Sequence, residues 1–238
     1  EKFLVQIGCP NDITDRFTEA DNMIFRQYEQ TAKISTYLFA FVVGPYAYVT
    51  NNEVGSENYV PMRVMARKSL MKYVKVKDIF RITMAGMDYY KEFFGRKYPF
   101  KKYDQIFVPE FNMGAMENVG CVTFTEHYLF RGNVIPQSRR EQVAITILHE
   151  LAHMWFGNLV TMKWWDDLWL NESFATFMSH MALANAPTLE DMTLSWEIFM
   201  ADKSWGLKTD QFSTTHPIAA DCENTEDAEN IFDGISYG

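Results

Sequence analysis

The chain has 238 residues, 47% of them hydrophobic and 16% aromatic. That is ample material for the core of one large or two small domains, and too much for a disordered or low-complexity segment. The formal net charge of -9, with no basic stripe interleaved with aromatics, argues against nucleic acid and anionic membrane as partners and suits cationic substrates.

The three cysteines, Cys9, Cys121 and Cys222, are odd in number and widely spaced. They form no disulfide framework and no Cys-x-x-Cys metal site, and read as buried or inert thiols in a reducing, cytoplasmic setting. No signal peptide is visible. The chain begins at Glu1 rather than Met and stops at Gly238 directly after Ile235-Ser236-Tyr237, so it reads as a piece of a longer protein.

The first 60 residues read as strands. Val5-Gln6-Ile7 and Met23-Ile24-Phe25 are short β-prone pieces bounded by Asn, Asp and Pro. Thr36 to Val43 is a continuous aromatic and β-branched run, expected as a strand buried on both faces. The apolar run from Tyr37 to Val49 is too short to span a bilayer and is broken by Gly44-Pro45. Asn51 to Asn58 is a polar loop, Met62 to Ala66 the next strand, and a domain boundary is expected near residue 60.

From Val76 the pattern turns helical. Asp78 can cap a helix running to about Phe94, with Gly95 after its end. Asp104 to Pro109 and Gly120 to Phe124 read as strands, joined by Phe111 to Asn118. Gln137 to Trp155 is a long helix, with Ser138 as a possible N-cap, Glu141 at the capping-box spacing and Gly157-Asn158 at its end. Asp166 or Asp167 can cap a second helix, Leu168 to about Ala184. A third is expected from Thr188 to about Trp205, and Asp221 to Asn230 is an acidic loop or a helix start.

The chemistry concentrates in the first of these late helices. His149-Glu150-Leu151-Ala152-His153 has the form His-Glu-x-x-His. Residues four apart share a helix face, so His149 and His153 can bind one metal ion together. Glu150 lies about 100° further round, within reach of a water on that metal, as a general base would. Catalytic zinc takes three protein ligands and keeps a position open for water. Glu172, with eighteen residues between it and His153, begins the next helix and can face the two histidines if the helices run antiparallel. This is the gluzincin arrangement. Upstream, Gly114-Ala115-Met116-Glu117-Asn118 joins two strands. Alone, Glu117 would read as an exposed acid in a turn. Beside a zinc site a fixed carboxylate suits the ammonium of a peptide N-terminus, and anchoring that end brings one peptide bond to the metal. His127, His180 and His216 read as structural or exposed, and the tryptophans at 155, 164, 165 and 169 as packing between the two zinc helices.

GAMEN at 114–118, HELAH at 149–153 and NESF at 171–174 together resemble the zinc aminopeptidases of the aminopeptidase N type, most closely the bacterial style, through FGNLVTMKWWDDLWLNESFAT (156–176) and FDGISYG (232–238). The resemblance covers essentially the whole chain. It implies an α+β fold: a thermolysin-like catalytic domain, mixed sheet plus helices, over residues 61–238, preceded by the C-terminal part of a β-saddle domain at 1–60. It implies one zinc ion held by His149, His153 and Glu172, with Glu150 as base. Glu117 would bind the substrate amino group, Gly114 and Ala115 would hold the substrate chain by their backbone, and Met116 and Asn118 complete that substrate-binding segment. Tyr237 would donate a hydrogen bond to the oxyanion. The partners implied are peptides with a free N-terminus, with no nucleic acid, no membrane segment, and the remaining N- and C-terminal domains of the same protein. Many members carry a carboxylate seven residues after the ligand Glu, where this chain has Ser179.

Three other readings remain at this point. A zinc endopeptidase would need no anchor at Glu117. A bifunctional epoxide hydrolase of the same family carries GGMEN in place of GAMEN. A non-catalytic fragment could keep the site and serve as an assembly module.

Overall fold

A computed structural model describes residues 4–7, 12–18, 23–51, 60–132 and 134–238. Cys9 and the expected loop after Asn51 lie outside the described residues. Nine strands and six α-helices are found among those described, an α+β composition. They divide into two compact units, one of residues 1–76 with 99–130 and one of residues 77–98 with 131–238.

The first unit holds the strands. β1 (Leu4–Ile7) pairs antiparallel with β4 (Phe41–Gly44), and β2 (Asp12–Thr18) with β3 (Met23–Tyr28). A mixed five-stranded sheet contains β5 (Tyr46–Thr50), β6 (Arg63–Arg67), β7 (Gln105–Val108), β8 (Ala115–Met116) and β9 (Val122–Thr125), in the order β5-β6-β7-β9-β8. The β6–β7 and β7–β9 pairs are parallel, the two outer pairs antiparallel. Every residue of β7 and β9 is buried, as expected of central parallel strands covered on both faces. Met65, Ile106, Val108 and Cys121 pack with Tyr46 in one cluster. Burial there pushes the Cys121 thiol up to about 12. Asp104, also buried, is paired by Arg63 at 2.7 Å and Lys102 at 3.0 Å, which meets the desolvation cost of its charge.

The run from Thr36 to Val43 is not a strand buried on both faces. Thr36–Leu38 forms a 3-10 turn that buries Leu38 completely. The strand that follows leaves Phe41 66% and Val43 54% exposed. The aromatic content reflected β-propensity, which does not by itself say which faces are covered.

The second unit is helical. α1 (Val76–Phe94) buries Ile79, Ile82, Thr83, Gly86 and Tyr90, a stripe at helical spacing. Asp78 lies inside its first turn instead of capping it, and Gly95 follows its end in the left-handed conformation. α2 (Gln137–Ala152) starts behind Pro136. Ser138 makes no cap, and Glu141 serves another purpose. Its fully buried carboxylate accepts hydrogen bonds from the backbone N–H of Thr193 (3.0 Å) and Leu194 (2.6 Å). These groups lead into α4 (Ser195–Thr209), so the third helix begins there and not at Thr188, where Pro187–Leu189 makes a 3-10 turn. α3 (Leu168–Asn185) lies between. The tail forms α5 (Thr225–Asn230), with an Asn224/Asp227 capping box, and the single turn α6 (Gly234–Tyr237).

α2 and α3 pack against each other. The buried Tyr90 hydroxyl of α1 lies 2.9 Å from the carbonyl of Leu148 and 3.2 Å from that of Met178, sharing its proton between the two helices. Three of the four tryptophans, Trp155, Trp164 and Trp165, pack elsewhere than predicted. Trp155 meets Tyr90, Phe94 and Tyr98 and donates to the carbonyl of Arg96, while Trp164 donates to that of Cys222. Trp165 packs on the Leu168, Ala220 and Ile231 cluster. They therefore join α1 and the tail to the zinc-motif segment. Among the described residues no helix is long and apolar enough to cross a membrane.

Candidate active site

The i, i+4 spacing on α2 brings the His149 and His153 rings to 4.5 Å between centroids. Their Nε2 atoms lie 2.9 Å apart. Glu172, in the first turns of α3, sets its Oε2 3.2 Å from His149 Nε2 and 3.4 Å from His153 Nε2. Four ligands at 2.0–2.1 Å in a tetrahedron are about 3.3 Å apart, so the three atoms are spaced as a small divalent cation requires. His153 and Glu172 are buried and His149 nearly so.

The hydrogen bonds behind His153 indicate which of its nitrogens faces inward. His153 Nδ1 lies 2.8 Å from Asn171 Oδ1 and 3.1 Å from the carbonyl of Phe156. A carbonyl only accepts, so Nδ1 carries the hydrogen and Nε2 keeps its lone pair for a metal. Thr176 Oγ1 stands 3.5 Å behind His149 Nδ1. Ser179 turns away and donates to the carbonyl of Thr176. The outer support thus comes from Asn171 and Thr176. Sequence reasoning missed both, although the rule that a ligating imidazole needs an acceptor on its far nitrogen would have pointed to the residue before Glu172.

Burial alone would raise the Glu172 carboxyl. Beside protonated imidazoles at His153 and His149 that effect is outweighed and the carboxyl is held below the usual carboxylate range. The chain reversal after α2 passes through Gly157 at φ 113°, where a side chain is strained. A methyl group there would also fall 2.1 Å from Asn171 Oδ1 and 3.4 Å from His153 Nδ1. Glu150, on α2 beside His149, is 5% exposed. Tyr237 stacks on His149, with ring centroids 6.1 Å apart and planes 17° apart, and meets Trp205 and Phe232.

The Gly114–Asn118 segment belongs to the strand-bearing unit. Ala115 and Met116 form β8 at the sheet's edge, in register with Phe124 and Thr123 of β9, and Gly114 accepts from the N–H of Thr125. A methyl group on Gly114 would meet the Tyr128 hydroxyl at 2.7 Å. Glu117 is only 4% exposed, not the exposed turn acid that it would be taken for alone. The Asn118 side chain engages the carbonyl of Leu38 and the hydroxyl of Thr123.

The remaining histidines have structural contacts. Buried His180 holds the carbonyl of Ser195 and the carboxylate of Asp202, His216 holds Asp233, and His127 approaches the hydroxyl of Thr125. None belongs to a cluster of potential metal ligands among the described residues.

Comparison with known proteins agrees with this geometry. Residues 79–238 match the model of the peptidase family M1 domain. The chain is 48% identical over 212 residues to Aminopeptidase N of Streptomyces lividans, covering 89% of this chain and 24% of that protein. It is 40% identical over 227 residues to Probable aminopeptidase 2 of Sulfurisphaera tokodaii, covering 95% and 28%, and 39% identical over 224 residues to Leucyl aminopeptidase of Saccharolobus solfataricus, covering 94% and 27%. The chain thus spans about a quarter of the length of these curated relatives. A family match over two-thirds of its residues, with a metal-ligand set of the metallopeptidase kind inside that match, means that the chain belongs to peptidase family M1.

Proposed function

We propose that the protein is a zinc-dependent aminopeptidase that removes the N-terminal residue of peptides. The observation that carries this reading is the convergence of His149 Nε2, His153 Nε2 and Glu172 Oε2 to within 3.4 Å of one another, with Asn171 orienting His153 from behind. The names of the relatives support the substrate class. His149, His153 and Glu172 would hold the zinc. When bound, zinc would lower the pKa of a water molecule and draw charge from the scissile carbonyl. Glu150 would act as the general base toward water and return the proton to the leaving amine. The Tyr237 hydroxyl donates a hydrogen bond to the oxygen that gains charge, a role supported by its ring lying on His149. Glu117 pairs with the substrate ammonium, and the Gly114–Asn118 edge segment offers backbone groups to the extended peptide. The position of β8 at the sheet edge supports that last role.

We further propose a cytoplasmic enzyme whose activity draws on domains beyond these residues. The stretch before about residue 60 would be the end of a β-saddle domain, with the catalytic domain following. β5 lies on the near side of that division and pairs with β6 on the far side.

The test is Glu150→Gln in the full-length protein. Hydrolysis of aminoacyl arylamides should be lost while zinc content stays at one ion per chain. Turnover by the zinc-loaded variant at the parent rate would refute the mechanism.

A further inference from the structure

Gly206 sits in the last turn of α4, where alanine would favour the helix by up to about 1 kcal/mol. An interior glycine in a helix calls for a packing reason, and there is one. A methyl group on Gly206 would lie 2.7 Å from the carbonyl oxygen of Gly234 and 3.6 Å from the Cα of Gly238. From the other side, a methyl group on Gly234 would lie 2.8 Å from the nitrogen of Gly206. The backbones of α4 and α6 therefore touch, with no side chain between them. On α6 is Tyr237, whose ring lies on His149 and against Trp205 of α4. The amino end of α6 is fixed separately. Asp233 Oδ1 accepts from the N–H of Ile235 (2.9 Å) and Ser236 (3.3 Å), and Asp233 Oδ2 is 3.1 Å from His216 Nε2. α4 is in turn tied to α3, the helix of Glu172, through His180, whose ring nitrogens reach Ser195 O at 2.9 Å and Asp202 Oδ2 at 3.2 Å.

We propose that Gly206 is a positioning residue that sets the height of Tyr237 over the metal-binding histidines through a direct backbone contact with α6. The one-turn helix cannot move toward α4, and any atom added at position 206 pushes it away. The overlap sets the size of the displacement. A carbon and a carbonyl oxygen make unstrained contact at about 3.3 Å, and the methyl group would be at 2.7 Å, so relieving the overlap takes a shift of α6 by about 0.6 Å (3.3 minus 2.7). Misplacement of a catalytic group by about 1 Å can cost about 100-fold in rate. The consequence for the rate rests on the role proposed above for Tyr237; the seating of the ring does not.

The experiment uses full-length, zinc-loaded protein carrying 3-fluorotyrosine at position 237. Gly206→Ala should move the fluorine resonance and lower kcat by about 10- to 100-fold, with zinc content and thermal midpoint unchanged. An unmoved resonance would overturn the seating. Gly234→Ala approaches the same contact from α6 and should give the same displacement, which covers the case in which Gly206→Ala does not fold. Added to Tyr237→Phe, Gly206→Ala should cause no further loss of kcat; an equal loss in that background would show that it acts by another route and overturn the proposal. If Tyr237→Phe alone leaves kcat intact, the catalytic role of Tyr237 falls, while the resonance still decides whether Gly206 seats the ring.

Discussion

Asn171→Ala isolates the support behind His153, one of the proposed metal ligands. Asn171 Oδ1 accepts from His153 Nδ1 at 2.8 Å, while the carbonyl of Phe156 accepts from the same nitrogen at 3.1 Å. Loss of such an outer partner typically costs 10- to 100-fold in metal affinity. Here the backbone acceptor stays, so the imidazole keeps its tautomer and loses only part of its orientation. The expected loss is at the lower end, about 10-fold in Kd for zinc, or about 1.4 kcal/mol. Competition against a chromophoric chelator of known affinity would read it in the full-length protein. Asn171→Asp keeps an acceptor at the same place and adds negative charge behind the ring, so it should bind zinc at least as tightly as the parent. An alanine variant with the parent's affinity would refute the argument. So would an aspartate variant as weak as the alanine one, because the acceptor would then not be what matters.

Glu117→Ala should lower kcat/KM for free-amine dipeptides by about 10- to 100-fold, the range of a charge-assisted hydrogen bond worth 1.5–3 kcal/mol. N-acetylated peptides should be unaffected, and equal losses on both would remove the anchoring role. Cys121, fully buried with its thiol raised to about 12, should resist iodoacetamide at pH 8 in the folded protein and react once it is unfolded, read by peptide mass spectrometry. Its thiolate becomes available only as pH rises toward that value, so rapid modification of the folded chain near neutrality would contradict its burial.

The approach of His149, His153 and Glu172 to one another was legible because it depends on short-range regularities. The i, i+4 pair needs only a helix, and Glu172 needs only a second helix of ordinary length after a reversal. Features set by distant contacts were not legible. Glu141 occupies a capping-box position of its own helix, yet its carboxylate caps the entry to α4 some fifty residues away. This also explains why that helix begins at Ser195 although the acidic stretch after Thr188 resembles a helix start. The aromatic run after Thr36 had β-propensity, but which faces the fold would cover was not encoded within it. The charged strand β2 (DITDRFT) has no apolar alternation to announce it.

Gly157 ties the backbone and the ligand shell together at one atom. Its φ of 113° turns the chain out of α2, and its missing side chain leaves the space that Asn171 Oδ1 uses to reach His153. A transplant of the two histidines and the glutamate onto another pair of helices would reproduce the ligands but not this reversal. Any larger residue at the turn would displace the Asn171 carbonyl. The smallest portable unit of this candidate metal site therefore runs unbroken from His149 through Glu172, with the intervening loop counted as part of the site.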